Sequence, residues 1–288
     1  MSNPAGPGSP FQLLFDDAAA VDPDTASLPA SFRQIYGSDW QIPPIVGRPY
    51  IFSNFAQSRD GRISFADPGI ATGGDVTGFN VHDRWLMGLL RARADAIVMG
   101  DVTVTMEPEF LFCAESISPN DAPAFTALRQ AEGRAALPLV VILSLEGKIN
   151  WHEPCFQDER SHFLLATTTR GAAQATTCDC AATVEVITLG DEGVDLHELV
   201  ALLYTKYGVH NLLCEGGSRV FAGMLDAGLI DEEFVTLCPT FIGRTATRHR
   251  PSYTEGVAWT PATAPYSKPL SLRRAGDLLY MRTKVQYK

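Results

Sequence analysis

Residues 209–223, VHNLLCEGGSRVFAG, place a buried strand, a glycine turn and the start of a helix in one short stretch. The strand is rich in Val and Leu and ends at Glu215, and Gly216 and Gly217 allow the backbone to approach a ligand closely. The helix that begins at Ser218 presents unpaired N–H groups and its positive dipole end above the turn. This pattern predicts a site for a dinucleotide pyrophosphate, although two glycines after a strand also occur in ordinary strand-to-helix turns.

The composition is that of an ordinary globular protein. The chain has 288 residues, of which 45% are hydrophobic and 19% charged, so it can bury a full core. Its net charge of −10 and its scattered basic residues argue against a nucleic-acid surface. No apolar run reaches the length of a membrane span, and the first residues lack the basic start of a secretory signal. We therefore expect a cytoplasmic protein with neither nucleic acid nor membrane as a partner.

The cysteines and histidines do not form a standard metal-binding pattern. Six cysteines in a chain without a secretory signal are expected to be reduced thiols. Residues 152–155, HEPC, are similar to part of a zinc deaminase motif, but the second cysteine of its PCxxC element is missing. Cys178 and Cys180 are too close together for a two-residue spacer and have no partner pair, so they indicate a loop. We expect no metal site.

The chain divides into a proline-rich start and a regular remainder. Residues 1–45 predict an arm, with one helical candidate at 30–36, and residues 46–288 predict the domain around which it wraps. Eight apolar runs in this domain have the length and composition of strands. They are residues 50–56, 96–99, 139–143, 162–168, 184–189, 209–214, 233–238 and 278–285.

Amphipathic helical patterns lie between most of these strands. They cover residues 81–95, with Asn80 as the N-cap, residues 196–207, and residues 218–227, which stop before Gly228. Alternating strands and helices predict an α/β fold in three αβα layers, with a mostly parallel, mixed sheet of about eight strands. The last strand follows its predecessor through a long loop and is expected to join antiparallel.

Two further segments could carry a ligand at the sheet edge. Residues 56–64, AQSRDGRIS, contain the turn dipeptide Asp60-Gly61, which is also typical of a plain hairpin. In residues 91–104, RARADAIVMGDVTV, Gly100 and Thr103 follow a buried strand at its carboxyl end, where open α/β sheets bind ligands. A simple connector is the alternative for this second segment.

A third segment has the composition of a phosphate site. In residues 165–171, LATTTRG, the hydroxyl of Thr168 and the guanidinium of Arg170 leave the end of a strand together. Arginine binds phosphate in a bidentate manner and hydroxyl groups complete the shell, so the segment suits the 2′-phosphate of NADPH. A solvated loop is equally compatible with this composition.

Four stretches of the chain, taken together, resemble the reductase domain of riboflavin biosynthesis. They are PYIFSNFAQSRDGRIS at 49–64, LLRARADAIVMGDVT at 89–103, LPLVVILS at 137–144 and VHNLLCEGGSRVFAGMLDAGLIDEEFVTLCPTFIG at 209–243. The resemblance extends over roughly residues 48–288 and implies a dihydrofolate reductase-like fold with an eight-stranded sheet and a homodimer. It also implies NADPH-dependent reduction of a 5-amino-6-(5-phosphoribosylamino)uracil-type pyrimidine to its ribityl form.

The resemblance also assigns site residues. On the substrate side it implies Asp60, Arg91 and Glu215. The cofactor-binding residues, which include three taken from the strand-end and helix-start patterns above, are Gln57, Gly100, Thr103, Ser144, Thr168, Arg170, Gly216, Gly217 and Ser218. Hydride transfer depends mainly on holding two carbons in line in a dry site, so no catalytic acid or base is assigned.

One departure from the family pattern concerns the substrate phosphate. Family members carry an arginine that binds this phosphate, and it follows the turn that contacts the cofactor, which here contains Gly100 and Thr103. In this chain residues 106–113 read MEPEFLFC, and no basic residue lies between Asp101 and Pro119. Losing this contact would cost a few kcal/mol unless another cation replaces it. The candidate replacements are Arg62, Arg84, Arg91 and Arg93.

The missing arginine keeps two other functions open. The first is a reductase of another small molecule, such as a pteridine, a folate or a secondary metabolite, in which Asp83 would be the candidate acid on the first helix of the domain. The second is a protein that binds NADPH without catalysis. Fold similarity alone is a weak guide to substrate, so assays on each substrate class are needed to separate them.

Overall fold

The sheet is built from the buried apolar runs seen in the sequence, with additions at one edge. The computed structural model describes residues 3–18, 26–107, 111–175 and 179–288. Its strands are β1 (Gln12–Asp16), β2 (Tyr50–Gln57), β3 (Ala96–Gly100), β4 (Leu139–Ser144), β5 (His162–Thr167), β6 (Thr183–Thr188), β7 (Asn211–Cys214), β8 (Glu232–Leu237), β9 (Tyr266–Ala275) and β10 (Leu278–Gln286). All eight predicted strands are present within a few residues of their predicted bounds.

The helices follow the amphipathic patterns. They are α1 (Ala30–Tyr36), α2 (Gly73–Thr77), α3 (Val81–Ala92), α4 (Asp101–Met106), α5 (Ala114–Ile117), α6 (Ala122–Ala131), α7 (Thr169–Gln174), α8 (Leu196–Thr205) and α9 (Ser218–Asp226). The predicted cap of α3 is confirmed, because the Asn80 side chain accepts hydrogen bonds from the backbone N–H groups of His82 and Asp83. Gly228 follows α9 in the left-handed conformation, as predicted.

The strands form one mixed sheet in the order β1-β9-β10-β8-β2-β7-β3-β4-β5-β6. The seven strands from β8 to β6 run parallel, while β10, β9 and β1 join antiparallel. The predicted number of eight strands was therefore wrong, because β1 and β9 were not recognised. β9 contains Pro269 at an irregularity in its pairing with β10, and proline argues against a strand when only the sequence is read.

Each face of the sheet is covered by its own core, which confirms the three-layer prediction. On one face, Trp85 of α3 and Phe125 of α6 pack against each other in a core that also contains Phe52 of β2. On the other face, Leu203 of α8 and Phe221 of α9 complete the second core. Strand side chains alternate between the two cores, so both faces of the parallel strands are apolar.

The first 45 residues contribute to both the sheet and the core. β1 pairs antiparallel with β9, and Phe32, Tyr36 and Trp40 are buried in the larger core. Arg273 of β9 donates a hydrogen bond to the Tyr36 carbonyl at 2.7 Å, and its guanidinium lies 3.7 Å from the centre of the Tyr36 ring. The proposed division of the chain at residues 45 and 46 remains a prediction.

Two predictions from the sequence, on the cysteines and on membrane spans, can be compared with the described residues. Five cysteines are free thiols, while Cys178 lies outside the described residues. Cys155 of the HEPC stretch is buried, and burial raises the pKa of its thiol to about 11. Across residues 3–18, 26–107, 111–175 and 179–288, every helix is too short or too polar to cross a membrane.

Candidate active site at the carboxyl edge of the sheet

Five neighbouring parallel strands bring the predicted residues to one edge. β2, β7, β3, β4 and β5 are consecutive in the sheet, so their carboxyl ends lie side by side. The predicted residues at these ends are Gln57 on β2, Glu215 after β7, Gly100 on β3, Ser144 on β4 and Thr168 after β5. Ligands of open parallel sheets bind at this edge, so the arrangement is that of a candidate active site.

A buried ion pair lies at the β7 end of this edge. Arg91 of α3 donates to both carboxylate oxygens of Glu215, with N–O distances from 2.8 to 3.1 Å. The Arg91 side chain is only 2% exposed, and its Nη1 has no hydrogen-bond partner among the described residues. Burial opposes the charge of Arg91, but the Glu215 carboxylate outweighs burial and raises the pKa of the arginine. The two predicted substrate residues therefore act as one unit with a free N–H donor.

Two further carboxyl groups lie close to this ion pair. Burial raises the pKa of Asp83 to about 6, and the Glu215 carboxylate adds to the effect, while the hydroxyls of Thr236 and Thr77 oppose it. Burial also raises the pKa of Glu107, which the charge of Arg91 lowers in part. Carboxyl groups with raised pKa values can hold a proton near neutral pH, which is a property of many active sites.

The two glycines after β7 have different roles. A β-carbon on Gly216 would lie 2.4 Å from Met99 Cα, so only glycine lets the turn pass this close to β3. A β-carbon on Gly217 would have no atom nearer than Thr103 Oγ1, at 3.8 Å. Gly216 is thus required by packing, whereas Gly217 leaves open space above the turn for a ligand.

The start of α9 has the features of an anion site. Gly217 is its N-cap and provides no side-chain cap, and its own N–H donates to Thr103 Oγ1 at 3.3 Å. The following backbone N–H groups, from Ser218 onward, cannot bond within the helix because they lie in its first turn. They and the helix dipole can receive the negatively charged oxygens of a ligand.

Gly100, Thr103 and Ser144 lie next to the start of α9, at the ends of β3 and β4. Ser144 is buried and donates a hydrogen bond to Asp101 Oδ2 at 2.5 Å. The carboxylate of Asp101 also accepts from the Val102 N–H, so the first turn of α4 is partly capped by its own side chain. Both α4 and α9 begin at a glycine N-cap without a side-chain cap, but the Asp101 carboxylate occupies the first turn of α4, and that favours α9 as the place for a pyrophosphate.

The residues predicted to bind the 2′-phosphate lie after the carboxyl end of β5. Thr168 caps α7, since its hydroxyl accepts from the Gly171 N–H and donates to the Leu145 carbonyl. Arg170 is exposed and forms an ion pair with Glu146 in the loop after β4. A phosphate could therefore reach the Arg170 guanidinium, but it would compete with the Glu146 carboxylate.

The Asp60-Gly61 turn lies beside Gln57 at the β2 end. The Asp60 carboxylate accepts hydrogen bonds from the N–H groups of Ile242 and Gly243 at 3.0 and 2.7 Å. Burial opposes ionisation, but these bonds and one from the Ser58 hydroxyl lower the pKa of Asp60 to about 2. Asp60 thus fixes the loop after β8 over the site.

The position of the missing arginine is filled by apolar side chains. Phe112 and Cys113 are buried, and the Arg91 guanidinium lies 5.8 Å from the centre of the Phe112 ring. Pro108 lies outside the described residues. Residues 244–250, RTATRHR, were not considered as site residues, although four of these seven residues are Arg or His in an acidic chain. That local run of positive charge is the signal that could have identified them.

Comparisons with known proteins identify the family of this chain. The family model of the RibD C-terminal domain matches residues 49–260. The 2,5-diamino-6-ribosylamino-4(3H)-pyrimidinone 5′-phosphate reductase of Archaeoglobus fulgidus is 29% identical over 196 residues, which are 68% of this chain and 83% of that protein. The reductase of the same name from Methanothermobacter thermautotrophicus is 28% identical over 200 residues, covering 68% and 80% of the two chains.

A solved structure has the same fold. RibD of Acinetobacter baumannii superposes with a TM-score of 0.61 at 20% identity, over 84% of this chain and 59% of that one. The family model covers most of the sheet and every strand end of the candidate site. The chain therefore belongs to the RibD C-terminal domain family.

Proposed function

We propose that this protein is a nicotinamide-dependent reductase that converts a phosphoribosylamino-pyrimidine to its ribityl form. The observation that carries the proposal is the buried Arg91–Glu215 pair beside the uncapped start of α9. This arrangement places a hydrogen-bond donor for the substrate, Arg91, and an anion site for a dinucleotide at the same edge of the sheet. The names of the two archaeal relatives support the same substrate class.

Family membership implies a nicotinamide cofactor in general, and we propose that it is NADPH. Gly217 and Ser218 would receive the pyrophosphate, with Gly100, Thr103 and Ser144 along its length and Gln57 toward the nicotinamide. When bound, the cofactor supplies a hydride. The open space at Gly217 and the unpaired N–H groups at the start of α9 fit the pyrophosphate of a dinucleotide. The proposed reaction does not need these residues to bind a metal.

The substrate-side groups supply the polar chemistry of the reduction. Opening a ribosylamine to its imine and reducing the carbon–nitrogen double bond adds one hydride and one proton. The unpaired Nη1 of Arg91 can donate to an oxygen of the open sugar, while Glu215 holds the guanidinium in place. Asp83, with a pKa of about 6, and Glu107, whose pKa burial also raises, are the groups near this pair that can hold the proton.

A steady-state assay tests the proposed reaction. We expect NADPH absorbance to fall when the purified protein receives the phosphoribosylamino-pyrimidine, and Glu215→Gln to lower kcat/KM at least tenfold by loosening Arg91. The matched control is Glu159→Gln, which removes an exposed carboxylate before the start of β5, at the opposite edge of the sheet. Absence of substrate-dependent NADPH oxidation at saturating concentrations would contradict the proposal.

The choice of NADPH is tested at the Arg170–Glu146 pair. We expect Arg170→Ala to weaken NADPH binding about tenfold and NADH binding little, because arginine binds the 2′-phosphate that NADH lacks. Glu146→Gln should instead strengthen NADPH binding, since it removes the competing carboxylate. Affinities for both cofactors are measured by isothermal titration, and equal losses for NADPH and NADH in Arg170→Ala would remove the reason for this choice.

A reductase of another small molecule is the second candidate. The observation that favours it is the replacement of the phosphate arginine by the buried Phe112 and Cys113. NADPH oxidation with a dihydropteridine, but not with the pyrimidine, would select this alternative. Binding of NADPH without oxidation by either substrate would instead indicate a non-catalytic protein.

The remaining expectations are also proposals. The resemblance implies a homodimer, which sedimentation equilibrium measures directly. A cytoplasmic location, which fluorescence imaging of a tagged chain tests, is proposed from the sequence.

A further inference from the structure

The phosphate of the proposed substrate needs a cation that the Arg91 region does not offer. Arg91 already pairs with Glu215, and its other neighbours include the carboxyl group of Glu107. Asp75 also acts electrostatically on Glu107, so the surroundings of Arg91 are acidic. A doubly charged phosphate placed there would face several carboxylates for one arginine, which is unfavourable.

Two of the other three candidate arginines are engaged elsewhere. Arg93 follows α3 at the opposite edge of the sheet, where it pairs with Glu132 at 2.8 Å and stacks on Trp40. Arg84 donates to the Ile117 carbonyl at 2.9 Å, between α3 and α5. Arg62 is different, because its guanidinium makes a single described hydrogen bond, a long one of 3.3 Å to the Arg250 carbonyl.

Arg62, in the turn after β2, lies beside two arginines of the loop after β8 and forms a cluster of positive charge with them. We call Arg62, Arg248 and Arg250 the basic loop cluster. Arg250 pairs with Asp67 at 2.9 Å, and Arg248 lies 3.7 Å from the same carboxylate. Asp67 thus serves two arginines, and Glu255 acts electrostatically on Arg62. Two carboxylates therefore face three arginines, and the Nε atoms of Arg62 and Arg250 lack hydrogen-bond partners among the described residues. The cluster keeps a surplus of positive charge and of N–H donors.

The cluster is fixed next to the candidate active site. Asp60 binds the N–H groups of Ile242 and Gly243, and the Ile63 N–H donates to the Pro251 carbonyl at 3.1 Å. These bonds tie the loop to the turn that precedes Arg62. A β-carbon on Gly61 would lie 3.8 Å from Gln57 Nε2, so this turn borders the end of β2 directly.

We propose that the basic loop cluster binds the 5′-phosphate of the substrate and replaces the arginine that the chain lacks after α4. This inference rests on the proposed function, which places a phosphorylated sugar in the cleft. Arginine is suited to the task because its planar guanidinium binds two phosphate oxygens at once. The cluster lies in sequence far from the position at which the family carries its phosphate arginine.

The test compares phosphorylated and unphosphorylated ligands in matched variants. The informative variants are Arg248→Ala and the double variant of Arg62→Gln with Arg248→Ala, because Arg248 is 63% exposed. Arg250 is left unchanged because it also supports the loop through its hydrogen bond to the Ile242 carbonyl. Arg160→Ala removes an arginine of similar exposure, 66%, outside the loop and serves as the control. Arg248→Lys keeps the charge and should restore part of the affinity.

We expect the double variant to raise KM for the phosphorylated substrate about tenfold or more, with kcat and KM for NADPH unchanged. KM for the dephosphorylated substrate should not change. In isothermal titration, binding of ribose 5-phosphate should weaken by a similar factor in the double variant and stay unchanged in Arg160→Ala.

The two proposals fail in different ways. Turnover with an unchanged KM in the double variant would overturn the phosphate site and leave the reaction intact. Absence of turnover with both substrates, together with ribose 5-phosphate binding that depends on Arg248, would overturn the reaction and support the anion site. Equal binding of ribose 5-phosphate by wild type and double variant would overturn the site in either case.

Discussion

At the scale of single residues, Gly216 and Gly217 predict separate effects on stability and on ligand binding. Gly216→Ala places a methyl group against Met99 Cα, so we expect the free energy of unfolding to fall by about 1 to 3 kcal/mol. Gly217→Val meets open space and should preserve stability, but its branched side chain would block the pyrophosphate and abolish NADPH binding. Urea unfolding and cofactor titration of both variants measure the two effects, and unchanged NADPH affinity in Gly217→Val would argue against this anion site.

Asp83 predicts a pH-dependent change in stability. Its pKa is raised to about 6 in the folded chain, so the folded state favours the protonated carboxyl, and this advantage is lost as pH rises through 6. Asp83→Asn removes the cost of the buried charge and should raise the free energy of unfolding by about 1 to 3 kcal/mol at pH 8. The gain should vanish near pH 4, and urea unfolding at both pH values measures it.

Asp60 provides the matched control of opposite sign. Its pKa is lowered to about 2, so the ionised carboxylate stabilises the fold above the unfolded pKa near 4, and this stabilisation is lost as pH falls toward 2. Asp60→Asn should therefore destabilise the protein at pH 8, where Asp83→Asn stabilises it. The same sign of change for both variants would contradict the two pKa shifts.

At the scale of elements, Arg273 fastens α1 and β1 to β9. It is 1% exposed, donates to the Tyr36 carbonyl and to Ser271 Oγ, and pairs with Asp16 at 3.1 Å. Removing one partner of a buried ion pair leaves the other unpaired, so Arg273→Met should lower the free energy of unfolding by about 3 kcal/mol. Arg274→Met, at the neighbouring exposed position, is the control and should change stability by less than about 0.5 kcal/mol.

Elements were predictable from sequence where burial leaves a local pattern. The parallel strands read as continuous apolar runs because both of their faces are covered, as in β4 and β5. β9 carries Pro269 together with Lys and Arg residues, and β1 has four exposed residues, so neither has such a pattern. The strand character of β1 depends on pairing with β9 across more than 250 positions, which no local window contains, whereas β9 also pairs with the neighbouring β10.

The candidate site was predictable to the same extent. The strand ends that carry Gly100, Ser144 and Glu215 follow from the strands themselves, because parallel strands share their carboxyl edge. Side-chain partners do not follow from the sequence, since Arg91 and Glu215 are 124 positions apart and Asp67 and Arg250 are 183 apart. Only the folded sheet decides which of these charges meet.

At the scale of the whole molecule, the folded domain includes much of the segment predicted to be an arm. Phe32, Tyr36 and Trp40 belong to the larger core, although the family model begins at residue 49. We expect a chain of residues 46–288 to lose cooperative thermal unfolding, because several large buried side chains would be missing. Circular dichroism during heating measures this, with removal of residues 1–8 as the control that keeps Phe11. A normal transition for 46–288 would support the predicted boundary instead.

The pairing of β1 with β9 has a consequence for synthesis of the protein. Gln12 pairs with Arg274, so β1 cannot complete its pairing until a segment more than 250 residues later in the chain has been made. Until then the buried Phe11 lacks its contact with Tyr280 and the buried Tyr36 lacks its contact with Arg273, so the nascent chain exposes both to chaperones and to other nascent chains. Formation of this edge of the sheet thus depends on contacts between segments far apart in sequence, which slow folding.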